Sequence, residues 1–397
     1  MNFVRTVSDA ERRARLGLRH ALAPGARLGS AEEVTDALVV LHSTEPPTVH
    51  LSAAARLRDP SLDEVERALY RDRTLVKQLA MRRTLFVFAR ELLPAAWGSV
   101  SARVAQQEAA RLAKEIVRHG VAEDGEAWVA TACAAVLARL RGGDEMSATA
   151  LREELPEIEG RTQADPTRRW AVAQSFAPRV LTLLGARGQV VRGHNAGHWR
   201  ISKPLWTATS TWLGDVPSPW TREAGYAELV RRWLARFGPG TEADLVWWLG
   251  ATKAAVRQAL IDVEAVGVGL EDGSAAWLLP DDLDEVSAPE EWVALLPTLD
   301  PTTMGWRGRD FYLDPRLTPF LFDTNGNAGT TIWVDGHIVG AWVQDERARV
   351  VPVVHAGVTA RQRALIEAES ERLTGVLDGE EVRSVYKSAL MKGEPLP

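Results

Sequence analysis

Over residues 238–280 the apolar positions change period in a readable way. Leu245, Leu249, Val256 and Leu260 keep the three-to-four spacing of two crossed helices, the first opened by Thr241 and separated from the second, at 252–263, by Gly250. Then Gly267-Val268-Gly269-Leu270, the turn Glu271-Asp272-Gly273-Ser274 and Ala275-Ala276-Trp277-Leu278-Leu279 alternate as a hairpin. With the helix expected at 224–237, this predicts a winged helix over 216–285. Trp247 and Trp248 are adjacent, so a helix points one into the core and the other toward a neighbour.

The same grammar recurs upstream. Ser30-Ala31-Glu32-Glu33 forms a capping box, and Val34, Ala37, Leu38 and Leu41 lay an apolar stripe on the helix behind it. Pro46 and Pro47 stop that helix and begin another at 47–57. A third helix ends near Arg71, and Thr84-Leu85-Phe86-Val87-Phe88 reads as a strand. A first winged helix with a helical extension is expected over 1–120. An alanine-rich helical stretch runs on to about residue 142, and a second unit is expected over 121–215. Its long helix spans 170–184 with Arg168, Arg169 and Arg179 nearby, and its hairpin pairs 188–193 with 198–203 about the turn His194-Asn195-Ala196-Gly197. Beyond 286 the pattern turns to strands at 292–296, 330–334, 337–343 and 349–355, with an Asp335-Gly336 turn and a closing helix at 359–377. The expected fold is α+β and mainly α, with three tandem winged-helix units followed by a β-barrel-like domain at 286–397.

Charge sharpens this picture. The chain has 397 residues and a net charge of −6, yet residues 161–260 carry 14 basic and 6 acidic side chains, whereas residues 261–397 carry 11 and 24. A polyanion would bind the centre and avoid the end of the chain. No apolar run reaches the roughly 20 residues of a membrane span, and the first residues lack the apolar core of a signal peptide. The single cysteine, Cys133, cannot form an internal disulfide, which points to a reducing, cytoplasmic setting. A monomer without cofactor is expected.

Metal and nucleotide chemistry have no support. There is no Cys-x-x-Cys, His-Glu-x-x-His or Walker sequence, and Gly267-Val268-Gly269 leads into a hairpin instead of a helix. His194 and His198 are four apart but lie in a glycine-bearing turn, where helical ligand spacing has no meaning.

Two clusters of polar residues stand out. The first is the stretch 42–48, where His42, Thr44 and Glu45 flank a loop and have the groups needed to hold or activate a water. Bland roles compete: Glu45 stands where it would cap the next helix, and His42 where it would bind the last carbonyls of the previous one. The second is the hairpin of the second unit, with Arg192, His198, Trp199, Arg200 and Lys203. A hairpin that only closed a core would not need so many basic groups. Together with Arg82, Arg83 and Arg179 they form the expected DNA-contacting set.

Several segments, in the right order over nearly the whole chain, resemble the winged-helix DNA glycosylases of the AlkZ and YcaQ kind. They are the 41–48 loop, Arg83-Thr84-Leu85-Phe86-Val87, the hairpin reaching Trp199-Arg200-Ile201-Ser202, Arg236-Phe237-Gly238-Pro239-Gly240-Thr241-Glu242-Ala243-Asp244 with Trp247-Trp248, and Asp335-Gly336-His337-Ile338-Val339-Gly340-Ala341-Trp342. The resemblance implies a C-shaped arrangement of the three units around damaged double-stranded DNA and excision of alkylated, N7-modified or crosslinked purines. In that family a Gln-x-Gln or Gln-x-Asp pair on the first-unit loop carries catalysis; here its positions read His42-Ser43-Thr44. The implied mechanism has His42 orienting or deprotonating water, assisted by Thr44 and Glu45. A non-catalytic DNA-binding paralogue, or a set of protein-interaction modules, is the alternative.

Overall fold

Ser8, Ser30, Thr221, Thr241, Thr252 and Thr359 each accept a hydrogen bond from the first turn of the helix they precede. Helix starts are therefore set locally, by side chains that satisfy otherwise orphaned amides. In this computed structural model residues 3–163, 173–355 and 357–396 are described.

The first part contains helices Ala31–Ala37 and Pro46–Ala54 and a three-stranded antiparallel sheet in the order Leu41–His42, Thr84–Ala89, Leu75–Ala80. Leu41 stands opposite Val87 and Val87 opposite Lys77; His42 stands opposite Phe86 and Phe86 opposite Gln78. Opposed residues share a face and neighbours alternate, so His42 and Lys77 lie on opposite faces of one sheet. The pattern predicted no strand at 41–42. The helix stops at Ala37, Val39 takes a left-handed turn (φ 63°), and the chain re-enters as an edge strand, which also removes His42 from any capping role.

The second part carries helices Val100–Arg118 and Gly125–Leu140, then Ala148–Glu154 and Ala177–Ala186, and the hairpin Val190–Asn195 with Pro204–Ala208. Here the expected pairing of 188–193 with 198–203 is corrected. The return strand begins at Pro204, and residues 196–203 form a long tip tied by one side chain. Asn195 Nδ2 donates to the carbonyls of Gly197 (3.1 Å), His198 (3.2 Å) and Ile201 (2.8 Å), while its Oδ1 accepts from the Lys203 amide at 2.7 Å. Arg168 and Arg169 lie outside the described residues.

The third part follows the predicted pattern closely. Helices Arg222–Phe237, Glu242–Leu249 and Lys253–Asp262 lead to the hairpin Val266–Leu270 with Ala275–Leu278. Thr241 and Asp244 form a reciprocal capping box, and Gly250 supplies the left-handed residue (φ 59°) that ends the second helix. Leu245, Leu249, Val256 and Leu260 are all buried, each contributing about 1.5–3 kcal/mol by leaving water. Trp248 is core and Trp247 faces outward, its ring covered by Arg82 and Arg309. A pairing that the local pattern does not signal adds Thr6–Val7 to this sheet, parallel to Val266–Leu270.

At the C-terminal end the strands Val350–Val354, His337–Gln344, Thr331–Val334 and Val293–Leu296 pair in that order, all antiparallel. The expected barrel is corrected to an open sheet. Its strands have only four to eight residues, and the helix Ala360–Leu377 covers its apolar face in place of further strands. One fully buried ion pair ties this region to the first part. Arg56 donates to both oxygens of Asp300, at 2.9 and 2.8 Å, with both side chains at 0% exposure.

Candidate active site on the 41–48 loop

The edge strand Leu41–His42 and the bond from the Ser43 amide to the Leu85 carbonyl (2.9 Å) hold the start of the loop against the sheet. His42 is 7% exposed, with its ring edge-on to Phe86 at 5.2 Å. Burial, and after it the charge of Arg82, push its pKa down to about 3. The imidazole is therefore neutral near pH 7, and its Nδ1 accepts from the Thr44 amide at 3.5 Å. A ring this hard to protonate orients a water better than it deprotonates one. Thr44 is the exposed residue between two buried neighbours. Its backbone amide is the group that meets the imidazole.

Glu45 turns elsewhere. Its backbone opens the helix Pro46–Ala54, but its side chain makes no capping bond. Instead the carboxylate accepts from Ser384 Oγ (2.8 and 3.0 Å) and from the Val385 amide (2.6 Å). Burial raises its pKa, and these bonds pull partly the other way. The carboxylate borders a cavity of about 150 Å³ lined also by Thr298, Trp342 and Lys387. His42 and Thr44 are thus brought together, whereas Glu45 belongs to the contact with the C-terminal segment.

The expected DNA-contacting residues divide in the same manner. Arg82 is an exposed residue whose guanidinium stacks 4.1 Å over the Trp247 ring, and desolvation followed by Arg309 lowers its pKa to about 10. Its charge also reaches the buried His42, second to burial in lowering the pKa of that ring. Arg83 is half exposed and pairs with Glu108 at 3.0 Å, and Arg179 pairs with Glu115. Arg192, half-buried on the first strand of the hairpin, stands opposite Trp206 with its guanidinium 5.2 Å over that ring. At the tip, Arg200 and His198 both meet Glu380, at 2.7 and 3.4 Å, and Arg200 also donates to the Glu381 carbonyl. Trp199 packs near Leu51, its ring 5.2 Å from that of His50. Lys203 is exposed at the base of the tip.

Sequence reading missed the segment 380–385, which touches both the loop and the hairpin tip. No local pattern reports a contact between residues 339 positions apart. It missed Lys77 as well, although a lysine on the same sheet face as Leu41 and Val87 is a signal that alternation supplies.

A model of the AlkZ-like DNA glycosylase family matches residues 35–376. The chain belongs to that family. The match takes in the 41–48 loop, the hairpin of the second part and the open sheet, so the family relationship identifies DNA as the partner and a glycosylase-like activity as the function. The fold is similar to that of the Streptomyces sahachiroi DNA glycosylase AlkZ, with a TM-score of 0.75 and 19% identity over 95% of this chain and 98% of that one. No curated protein gives a significant match. Among the described residues no helix is long and apolar enough to cross a membrane, and no group of three or more His, Cys, Asp or Glu is arranged to hold a metal ion.

Proposed function

We propose that this family member hydrolyses the N-glycosidic bond of alkylated purines, N7-modified or crosslinked, in duplex DNA. The observation that carries the reading is the pair formed by the buried, neutral His42 and the exposed Thr44 at the end of a sheet edge. A purine alkylated at N7 already bears positive charge, so the bond to the sugar breaks with its electrons returning to the base. The protein has only to place water and to tolerate an oxocarbenium-like sugar. His42 and Thr44 hold the water, the new bond forms from its oxygen to the sugar carbon, and its proton leaves to solvent. Glu45 contributes through the 384–385 segment that it anchors beneath the loop. The three helix-turn-hairpin parts act as winged helices that follow the DNA, with the hairpin tip at 196–203 against the backbone.

A second reading, DNA binding without catalysis, is favoured by one observation: an imidazole with a pKa of about 3 is a weak base. Base release separates the two. Under single-turnover conditions, duplexes carrying N7-methylguanine or a bulkier N7 adduct are expected to lose the base with wild type. His42→Ala should slow release by about a hundredfold or more. Salt-sensitive binding without release of either base would establish the second reading.

A further inference from the structure

Ser43 faces away from His42, toward a cleft that the mechanism above does not use. The cleft lies between the sheet of the first part and the hairpin of the second, and Ser43, Tyr70, Lys77, Arg192 and Asn195 line it. Lys77 Nζ donates to the Tyr70 hydroxyl at 2.7 Å. The Ser43 hydroxyl and Arg192 Nε are both buried without a hydrogen-bond partner among the described residues.

The charge balance of this cleft is one-sided. After burial, the strongest influence on Lys77 is the like charge of Arg192, and the pKa of Lys77 falls to about 8. Glu66 acts on it more weakly and is already bonded by His50 Nε2 at 2.8 Å. Burial also lowers the pKa of Arg192. Two half-buried cations and a buried, unsatisfied hydroxyl around one cleft are costly unless an anion completes them. Lysine and arginine donors with a serine hydroxyl suit the oxygens of a phosphate group.

We propose that Lys77, Arg192, Tyr70 and Ser43 form a receptor for one phosphate group, filled in the DNA complex by a backbone phosphate of the strand that bears the reacting sugar. The second half of this statement rests on the glycosylase reading. The enclosed space is about 10 Å³, enough for one water. The phosphate therefore enters at the rim formed by Asn195 and the exposed Ser202, and the tip at 196–203 must lift to admit it. Ser43, which lines the cleft, is the chain neighbour of both His42 and Thr44 and so joins the receptor to their loop.

Two measurements on the full chain test this. In the first, thermal unfolding is followed with inorganic phosphate and with chloride at matched ionic strength. Phosphate should raise the midpoint of wild type beyond chloride, and Lys77→Met and Arg192→Gln should remove that difference. Lys77→Met should also unfold at a higher temperature than wild type in phosphate-free buffer, because it removes an uncompensated cation; this shows that the variant is folded. In the second, a single neutral methylphosphonate linkage is walked along the duplex. One position should weaken wild-type binding about tenfold and leave Lys77→Met binding unchanged. Response to inorganic phosphate alone would keep the receptor and detach it from the DNA backbone. Coupling at one linkage alone would make the backbone its only source. Absence of both effects overturns the proposal. Neither readout measures base release, so loss of the glycosylase reading would leave the test intact.

Discussion

The Glu45 carboxylate accepts from the Ser384 hydroxyl at 2.8 Å across 339 positions of sequence, which fastens the C-terminal segment beneath the 41–48 loop. Burial raises the pKa of this carboxylate. The folded state therefore holds the proton more tightly than the unfolded chain, and the stability gained from it is present at low pH and lost as pH rises through the folded value. Glu45→Gln keeps an accepting oxygen and cannot titrate. It should flatten the pH dependence of unfolding above the ordinary glutamate range of about 4.3, as urea melts between pH 4 and 7 would show. Ser384→Ala removes the hydroxyl and should cost about 1 kcal/mol in the same assay.

His42 titrates in the opposite sense. Its folded pKa of about 3 lies below that of the unfolded chain, so stability is full above about pH 6.5 and declines as pH falls toward 3, by on the order of 5 kcal/mol at most. His42→Gln should remove that loss. The same shift makes a kinetic prediction: base release should be flat from about pH 6 to 8, because this imidazole stays neutral throughout. A rate falling with an apparent pKa near 6.5 would show His42 in a more solvated setting than the structure gives it.

What could be read in advance follows a physical boundary. Thr241, Gly250 and the apolar residues between them act within a few positions of one another, and the three helices and the hairpin of the third part stand close to where the local pattern put them. The division of Trp248 to the core and Trp247 to a contact with neighbouring parts, here Arg82 and Arg309, was legible for the same reason. Thr6–Val7, the strand Leu41–His42 and the segment 380–385 depend on partners far away in the chain, and no local period reports them. The barrel was misread because four short apolar strands look alike whether a sheet closes or is covered by a helix. At the candidate site, polarity in a loop singles out His42, Thr44 and Glu45 together, whereas the turning of Glu45 toward Ser384 is a tertiary fact.

The Arg56–Asp300 pair tests how the first part and the C-terminal region are joined. Both groups are fully buried, and Asp300 also accepts from Ser52 Oγ at 2.7 Å. Asp300→Asn would leave a buried guanidinium without its counter-charge and should destabilise the fold by about 3–5 kcal/mol. A double replacement of Arg56 and Asp300 by apolar residues should cost much less than either single change. Denaturant titration of the three variants measures the coupling.

The hairpin tip supplies the last prediction. Arg200 and His198 both face Glu380, so the charge expected to meet phosphate is held by a carboxylate of the same chain. DNA must compete with Glu380 for Arg200, and that competition lowers affinity without removing the contact. Glu380→Gln should therefore tighten duplex binding and steepen its salt dependence, because Arg200 is then free to neutralise a phosphate and displace its condensed counterion. Arg200→Ala should weaken binding and reduce the slope of log affinity against log salt by about one. Fluorescence anisotropy over a salt series distinguishes the two. If Glu380→Gln left both affinity and slope unchanged, the tip would stay on the C-terminal segment in the complex, and the DNA would have to be held by other groups such as the exposed Lys203.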